Sequence, residues 1–305
     1  MTAGVLCVGR NSVDYIFDAR LADLALDTKQ RTDEPALIIG GQCFNAAVTL
    51  AGLGVRVAYA GVTGDDGGGG HVRAALDAAG IDATGVEMAN GLQNPCAYIF
   101  VDHESGERSI VETVSPVFPG HSGDISDVLW ARVSHVYFDG HEVEASLKIA
   151  RAATARGLAT ICDAETVTPE TRALLASVET VIVPKSVASE IAGSDVPVDM
   201  LSALAALGGR THVVTMGAQG AIGALKGGNL VQIPVAPCHV MDTTGAGDAF
   251  HAGFIFAEMG GASFAKSMTI AARVAALACE HKGPSAPADA LRRLGHHLSR
   301  ETWIS

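Results

Sequence analysis

Between residues 133 and 216 short apolar runs alternate with longer stretches of helical pattern, and this rhythm restricts the chain more than any other feature. Val133–Phe138, Ala159–Cys162, Thr180–Val183 and Thr211–Met216 are short and apolar on both faces, as strands buried between two layers of helix must be. Glu142 to Arg156 carries the helical period between the first two. Gly4–Gly9 and Arg56–Gly61 are earlier runs of the same kind. Strands separated by helices imply right-handed crossovers, so the predicted class is α/β, a central, mostly parallel sheet flanked by helices. Ligands of such sheets lie beyond the carboxyl ends of the strands. Asn11 and Asp14 follow the first run, Asp139 follows Val133–Phe138, and Asp163-Ala164-Glu165 follows Ala159–Cys162. On position alone Asp14 reads equally as a turn residue.

Two segments break the rhythm. Ala97–Val101 and Ser109–Val114, joined through residues 103–107, read as a β-hairpin. An antiparallel hairpin in a parallel chain suits a small β lid over a pocket, built from segments near 12–40 and 93–114. Arg108 at its edge reads either as a phosphate ligand or as a solvated turn residue. A second hairpin is expected from Ala221–Leu225 and Leu230–Ile233, turning at Gly227-Gly228. The glycines at 67–70 read as a loop before a helix over Val72–Ala79, since no lysine or hydroxyl follows them.

With 48% hydrophobic residues and no long linker, residues 1–305 are read as a single domain with a substantial core. A net charge of −12 argues against nucleic-acid or anionic-membrane partners, which basic patches would serve. No apolar run approaches the ~20 residues of a membrane span. Six scattered cysteines without a CxxC pair read as free thiols, and the start lacks a cationic leader, so the expected location is cytoplasmic. Eleven histidines show no metal-ligand spacing.

The chemistry concentrates at Asp242-Thr243-Thr244-Gly245-Ala246-Gly247-Asp248. An apolar run ends at Val240-Met241, a polar turn with two glycines follows, and Asp248 opens the helical pattern Ala249 to Met259. The glycines let Gly245, Ala246 and Gly247 aim their N–H groups at one point, and the helix start adds its dipole; together they form an anion hole suited to phosphate. A carboxylate beside a phosphate is electrostatically unfavourable, so Asp248 is best explained as a base for a hydroxyl that attacks phosphorus. A common acidic residue of a first helical turn is the bland alternative. His251, one turn on, receives no role from the sequence.

The string DTTGAGDAFHAGF resembles the C-terminal signature of the ribokinase-like (PfkB) carbohydrate kinases. The stretch Gly40-Gly41-Gln42-Cys43-Phe44-Asn45-Ala46-Ala47 is similar to the N-terminal signature of that family, and Val214 to Ala221 to its (T/K)-x-G-x-x-G turn. The resemblance spans nearly the whole chain and implies a three-layer ribokinase-like fold with a small β lid. It implies that Asp14, Gly40, Gly41 and Asn45 bind sugar hydroxyls, with Asn11 and Asp139 at the same edge. Without it, capping of a helix beginning near Ala46 would account for Asn45. Gln42 stands where ribokinases carry lysine, which argues against strict ribose specificity. Thr215, Gly217, Gly220 and Thr243 fall beside the nucleotide phosphates of the family, and Gly283 in a turn that borders adenine and a monovalent-cation (K+) site. The Asn-x-x-Glu motif tied to Mg2+ is replaced: Lys185 and Ala188 stand at its ends, so no metal ligands are carried over. Lys185 and the LCVG opening look like ketohexokinases, and Lys185 reads as a nucleotide cation or a surface residue.

The implied activity is ATP- and Mg2+-dependent transfer of the γ-phosphoryl group to a small sugar, Asp248 accepting the hydroxyl proton. A nucleoside kinase on this scaffold and a non-catalytic sugar-binding or regulatory protein are the alternatives. A Rossmann oxidoreductase would need G-x-G-x-x-G after the first strand, which Gly4–Gly9 with Arg10-Asn11 does not supply. A homodimer through the lid is expected by analogy.

Overall fold

The first strand, β1 (Gly4–Val8), is buried along its whole length and pairs parallel with both β4 (Val57–Gly64) and β8 (Val133–Phe138). This computed structural model describes residues 4–19, 27, 29, 31, 34–102, 108–115 and 117–301. β5 (Asp82–Ala89) extends the sheet beyond β4, while β9 (Ala159–Cys162), β10 (Thr180–Pro184) and β11 (Thr211–Thr215) extend it beyond β8, all parallel. β12 (Ala221–Leu225) and β13 (Val231–Ile233) close that edge antiparallel, completing nine strands. The fold is the expected three-layer, ribokinase-like α/β arrangement with a second small sheet.

Strand periodicity divides the core. Leu6 and Val8 of β1, Val136 and Phe138 of β8, and Val181 and Val183 of β10 face one helical layer. That layer contains α4 (Val143–Ala155), α5 (Pro169–Leu175), α6 (Lys185–Ala192) and α7 (Pro197–Leu207). Val5, Cys7, Tyr137 and Ile182, the alternate residues, face α1 (Gln42–Gly52), α2 (Gly67–Ala78), α8 (Ala246–Met259) and α9 (Phe264–Cys279). A fully buried aliphatic chain contributes ~1.5–3 kcal/mol, so strands apolar on both faces are stable only between two such layers. α3 (Asp127–Trp130) seats Trp130 in the first layer, and α10 (Ala288–Leu298) packs Leu291 and Leu298 against Leu53 and Val274.

The lid is a four-stranded sheet ordered β3 (Ala36–Gly40), β2 (Ser12–Ala19), β6 (Cys96–Asp102), β7 (Arg108–Thr113). β2 begins at Ser12, which puts Asp14 on a strand rather than in a turn. Arg108 pairs with Val101 at the start of β7, and its side chain lies outside the described part of the structure.

Two readings are corrected. The glycines at 67–70 form the first turn of α2 rather than a loop: the Asp66 carboxylate accepts from the Gly69 amide at 3.0 Å and caps it. Gly69 is required there, because a Cβ would lie 1.9 Å from the Gly64 carbonyl. Likewise α1 starts at Gln42, with Gly41 (φ 102) as its N-cap residue, so Asn45 lies inside the helix and caps nothing.

Candidate active site

α8 places its N-terminus at the carboxyl edge of the sheet, preceded by a turn that only glycine can make. Gly245 has φ 71, and a Cβ on it would lie 2.0 Å from the Pro284 carbonyl oxygen. Asp242 holds this turn from both sides, accepting from the Thr244 amide and the Gly283 amide, each at 2.9 Å. Gly283 therefore braces the loop with its own amide. The Ala246 amide donates to Thr243 at 3.2 Å, so the turn itself engages one of the three amides expected in the hole. At Gly247 a Cβ would meet nothing within 4 Å: the helix start opens onto free space there.

Asp248, in the first turn of α8, is 7% exposed, and its Oδ2 accepts from Asn45 Nδ2 at 2.8 Å. Burial pushes its carboxyl up to about 7, opposed by the Asn45 bond and by His251 and reinforced by Asp163 and Glu165. A carboxylate with this proton affinity is matched to general-base work near neutral pH.

The expected substrate residues divide into two groups. Asp14, Gly40, Gly41, Gln42 and Asn45 gather around the junction of β2, β3 and α1. Ser12 Oγ donates to Asp14 Oδ1 at 2.7 Å, and a Cβ on Gly40 would lie 2.1 Å from Asp14 Oδ2. Burial raises the Asp14 carboxyl, with the Ser12 bond opposing. Gln42 donates from Nε2 to Asp163 Oδ2 at 3.1 Å and faces His141 Nε2 with Oε1 at 2.9 Å. Asp139 and Asn11 form the second group, bonded to the segments around the strand ends. Asp139 accepts from the Arg10 amide at 2.8 Å and the His141 amide at 3.1 Å, tying the end of β1 to the end of β8. Asn11 donates to the Val62 carbonyl at 2.9 Å and accepts from Asn94 Nδ2 at 3.1 Å. Asp163, His141 and Glu165 join the site with no role read for them from the sequence. Only the acidic residues directly after β9 signalled it.

On the other side of Gly247 lies a cavity of about 500 Å³. Thr215, Gly217, Gly220 and Thr243 line it as expected, together with Val235, Phe250 and the small residues Ala272, Ala275 and Ala276 of α9. Its apolar walls suit a flat heteroaromatic ring, and its inner end reaches the start of α8. Lys185 is not among the lining residues: it begins α6 with Nζ 3.9 Å from Asp195 Oδ2. Among the described residues no cluster of three His, Cys, Asp or Glu side chains is placed to hold a metal ion, and no helix is long and apolar enough to cross a membrane.

The apolar cavity reaches the start of α8, one residue from the buried Asp248 carboxyl, and a second small sheet accompanies the nine-stranded one; this is the arrangement of the ribokinase-like fold. The structure of Arabidopsis thaliana ribokinase complexed with ribose and ATP superposes with TM-score 0.83 at 22% identity, over 97% of this chain and 99% of that one. A putative ribokinase from Agrobacterium tumefaciens superposes with TM-score 0.81 at 24% identity, over 99% of this chain and 100% of that one. Among curated proteins, the ATP-dependent ribose-1-phosphate kinase of Halopiger xanaduensis is 28% identical over 83% of this chain and 84% of its own length. Ketohexokinase of Mus musculus is 26% identical over 92% and 97%. Residues 2–291 match the pfkB family carbohydrate kinase profile, and the chain belongs to that family. It is an ATP-dependent phosphotransferase of that carbohydrate kinase family.

Proposed function

We propose that the protein transfers the γ-phosphoryl group of ATP to a hydroxyl of a small sugar of ketohexose or pentose type, with Asp248 as general base. The observation that carries this is Asp248 itself: buried, poised near neutrality and set between the sugar-side cluster and the cavity that reaches Gly247. The base of the nucleotide fits the apolar cavity, with its phosphates directed to the open helix start at Gly247. Bound MgATP supplies the phosphoryl group and the charge that offsets it; lacking a protein cage for the metal, the described residues suit an ion held mainly by phosphates. Asp14, with the bare backbone of Gly40 and Gly41, orients the acceptor so that its hydroxyl approaches Asp248. Asp248 takes the hydroxyl proton, Asn45 keeps the carboxylate aimed, and the Gly247 amide with the α8 dipole stabilises the developing charge.

Asp14→Ala removes hydrogen bonds to the acceptor and not the base. It is expected to raise KM for the sugar ~10- to 100-fold with kcat lowered far less, a split that steady-state kinetics reads directly. A homodimer through the lid belongs to the same reading, supported by Ile110 and Val111 of β7, which are 48% and 56% exposed. So does a cytoplasmic location.

The test is ADP release from MgATP in the presence of pentoses, ketohexoses, phosphosugars or nucleosides. Turnover on a sugar supports the proposal, and turnover on nucleosides alone replaces the acceptor. No turnover on any of them overturns the proposed acceptor class and favours the sugar-binding reading.

A further inference from the structure

His251 stands one turn along α8 from Asp248 and has no part in the mechanism above. It is 3% exposed, yet both of its ring nitrogens are occupied. Nδ1 lies 2.7 Å from the carbonyl oxygen of Gly247, the glycine at the open helix start. Nε2 lies 3.0 Å from the carbonyl oxygen of Ile182 in β10, one residue beyond the point where the β9–β10 ladder ends at Cys162↔Val181. Carbonyl oxygens only accept. A neutral imidazole brings one hydrogen and would press the lone pair of its other nitrogen against an oxygen. Two short contacts to two acceptors are best met by a hydrogen on each nitrogen.

The surroundings suit the charge that two hydrogens would give. Asp163 Oδ1 is 3.7 Å from Nε2 and is itself buried, while Tyr137 lies beside the ring with centroids 5.5 Å apart. The groups that interact with Asp248 by hydrogen bond or charge are Asn45 and the Cys43 thiol of α1, Tyr137 of β8, Asp163 and Glu165 at the end of β9, and His251 of α8 itself. His251 is the one group of this set able to carry a positive charge, and the other ionisable groups in it are acids.

We propose that His251 is a positioning residue for phosphoryl transfer, a doubly protonated imidazole that pins the Gly247 end of α8 to β10 and, by its charge, holds Asp248 in its proton-accepting form. This rests on the kinase reading above. The device has a geometric part, because an N–H donated to the Gly247 carbonyl fixes the peptide on whose other side the anion-binding amides lie. It also has an electrostatic part, because a buried cation near Asp248 and Asp163 offsets the repulsion between them.

The test compares kcat–pH profiles of the wild type and His251→Asn, which is neutral and retains one donor. The acid limb is expected to move about one unit to higher pH, so that kcat at pH 6.5 falls ~10-fold while KM for ATP changes less than ~3-fold. An acid limb that stays in place, whatever the loss of stability, overturns the proposal, since a purely structural histidine would lower Tm and leave the limb unmoved. Should the variant not fold, the unaltered protein decides: 15N-histidine NMR at pH 7 is expected to show one ring with two exchange-protected N–H protons and NOEs to the Tyr137 ring. A single-proton tautomer on that ring overturns the proposal. The NMR reading holds even if every acceptor fails, so loss of the kinase assignment and loss of this one are told apart.

Discussion

Asp248→Asn is expected to lower kcat by ~10²–10⁴-fold, the range for loss of a general base, and at the same time to raise the melting temperature at pH 8. The two effects have one origin. Burial is the main cause that lifts the Asp248 carboxyl to about 7, far above its unfolded value. The folded state therefore prefers the protonated group. Its contribution to stability is full below the unfolded pKa and is lost as pH rises through about 7, where the buried group must carry a charge. Asparagine has no charge to bury and can still accept from Asn45. Removing that penalty is expected to raise Tm by ~5 °C at pH 8, with the difference vanishing towards pH 4. The same carboxyl predicts that wild-type kcat rises with pH across the neutral range. Scanning calorimetry at both pH values, with stopped assays of ADP formation, checks the pair. An Asn variant with near-normal turnover removes Asp248 from the mechanism.

Gly245→Ala is expected to damage both fold and activity. The residue is left-handed at φ 71, where a side chain costs ~1–2 kcal/mol, and the new methyl would sit 2.0 Å from a backbone oxygen of Pro284. Neither group is a flexible chain end, so the loop before α8 must shift and carry the amides of the helix start with it. Tm should fall clearly, and kcat/KM for ATP by ~10²–10³-fold, as when one donor of an anion hole is displaced. Gly247→Ala separates the two effects. A Cβ there meets nothing, so stability should hold, but the methyl projects into the space at the helix start and activity should fall. Equal damage from both variants would mean that the helix start is a structural corner and no binding site.

The fold class was legible in linear order because it rests on local physics, and the family because three short strings resemble its signatures. Short runs apolar on both faces must be buried strands, helical stretches between them force parallel crossovers, and two glycines before an acidic residue shape a helix start open to an anion. The antiparallel lid was legible for the same reason. What remained hidden was every pairing across the layers. Nothing near Asn45 announces that it meets Asp248, 203 residues away, at 2.8 Å; that follows from the way α1 and α8 pack on one face of the sheet. Asp139 and Asn11 sit where a ligand residue should, yet backbone amides and a neighbouring asparagine take up their polar atoms. His251 had no reading until the end of β9 left a carbonyl of β10 within its reach. Position along a strand or helix sets which edge a side chain occupies, since the chain's own periodicity controls it. Which group satisfies that side chain is decided only when separate elements come into contact, because a buried polar atom takes whatever partner the packing brings within about 3 Å.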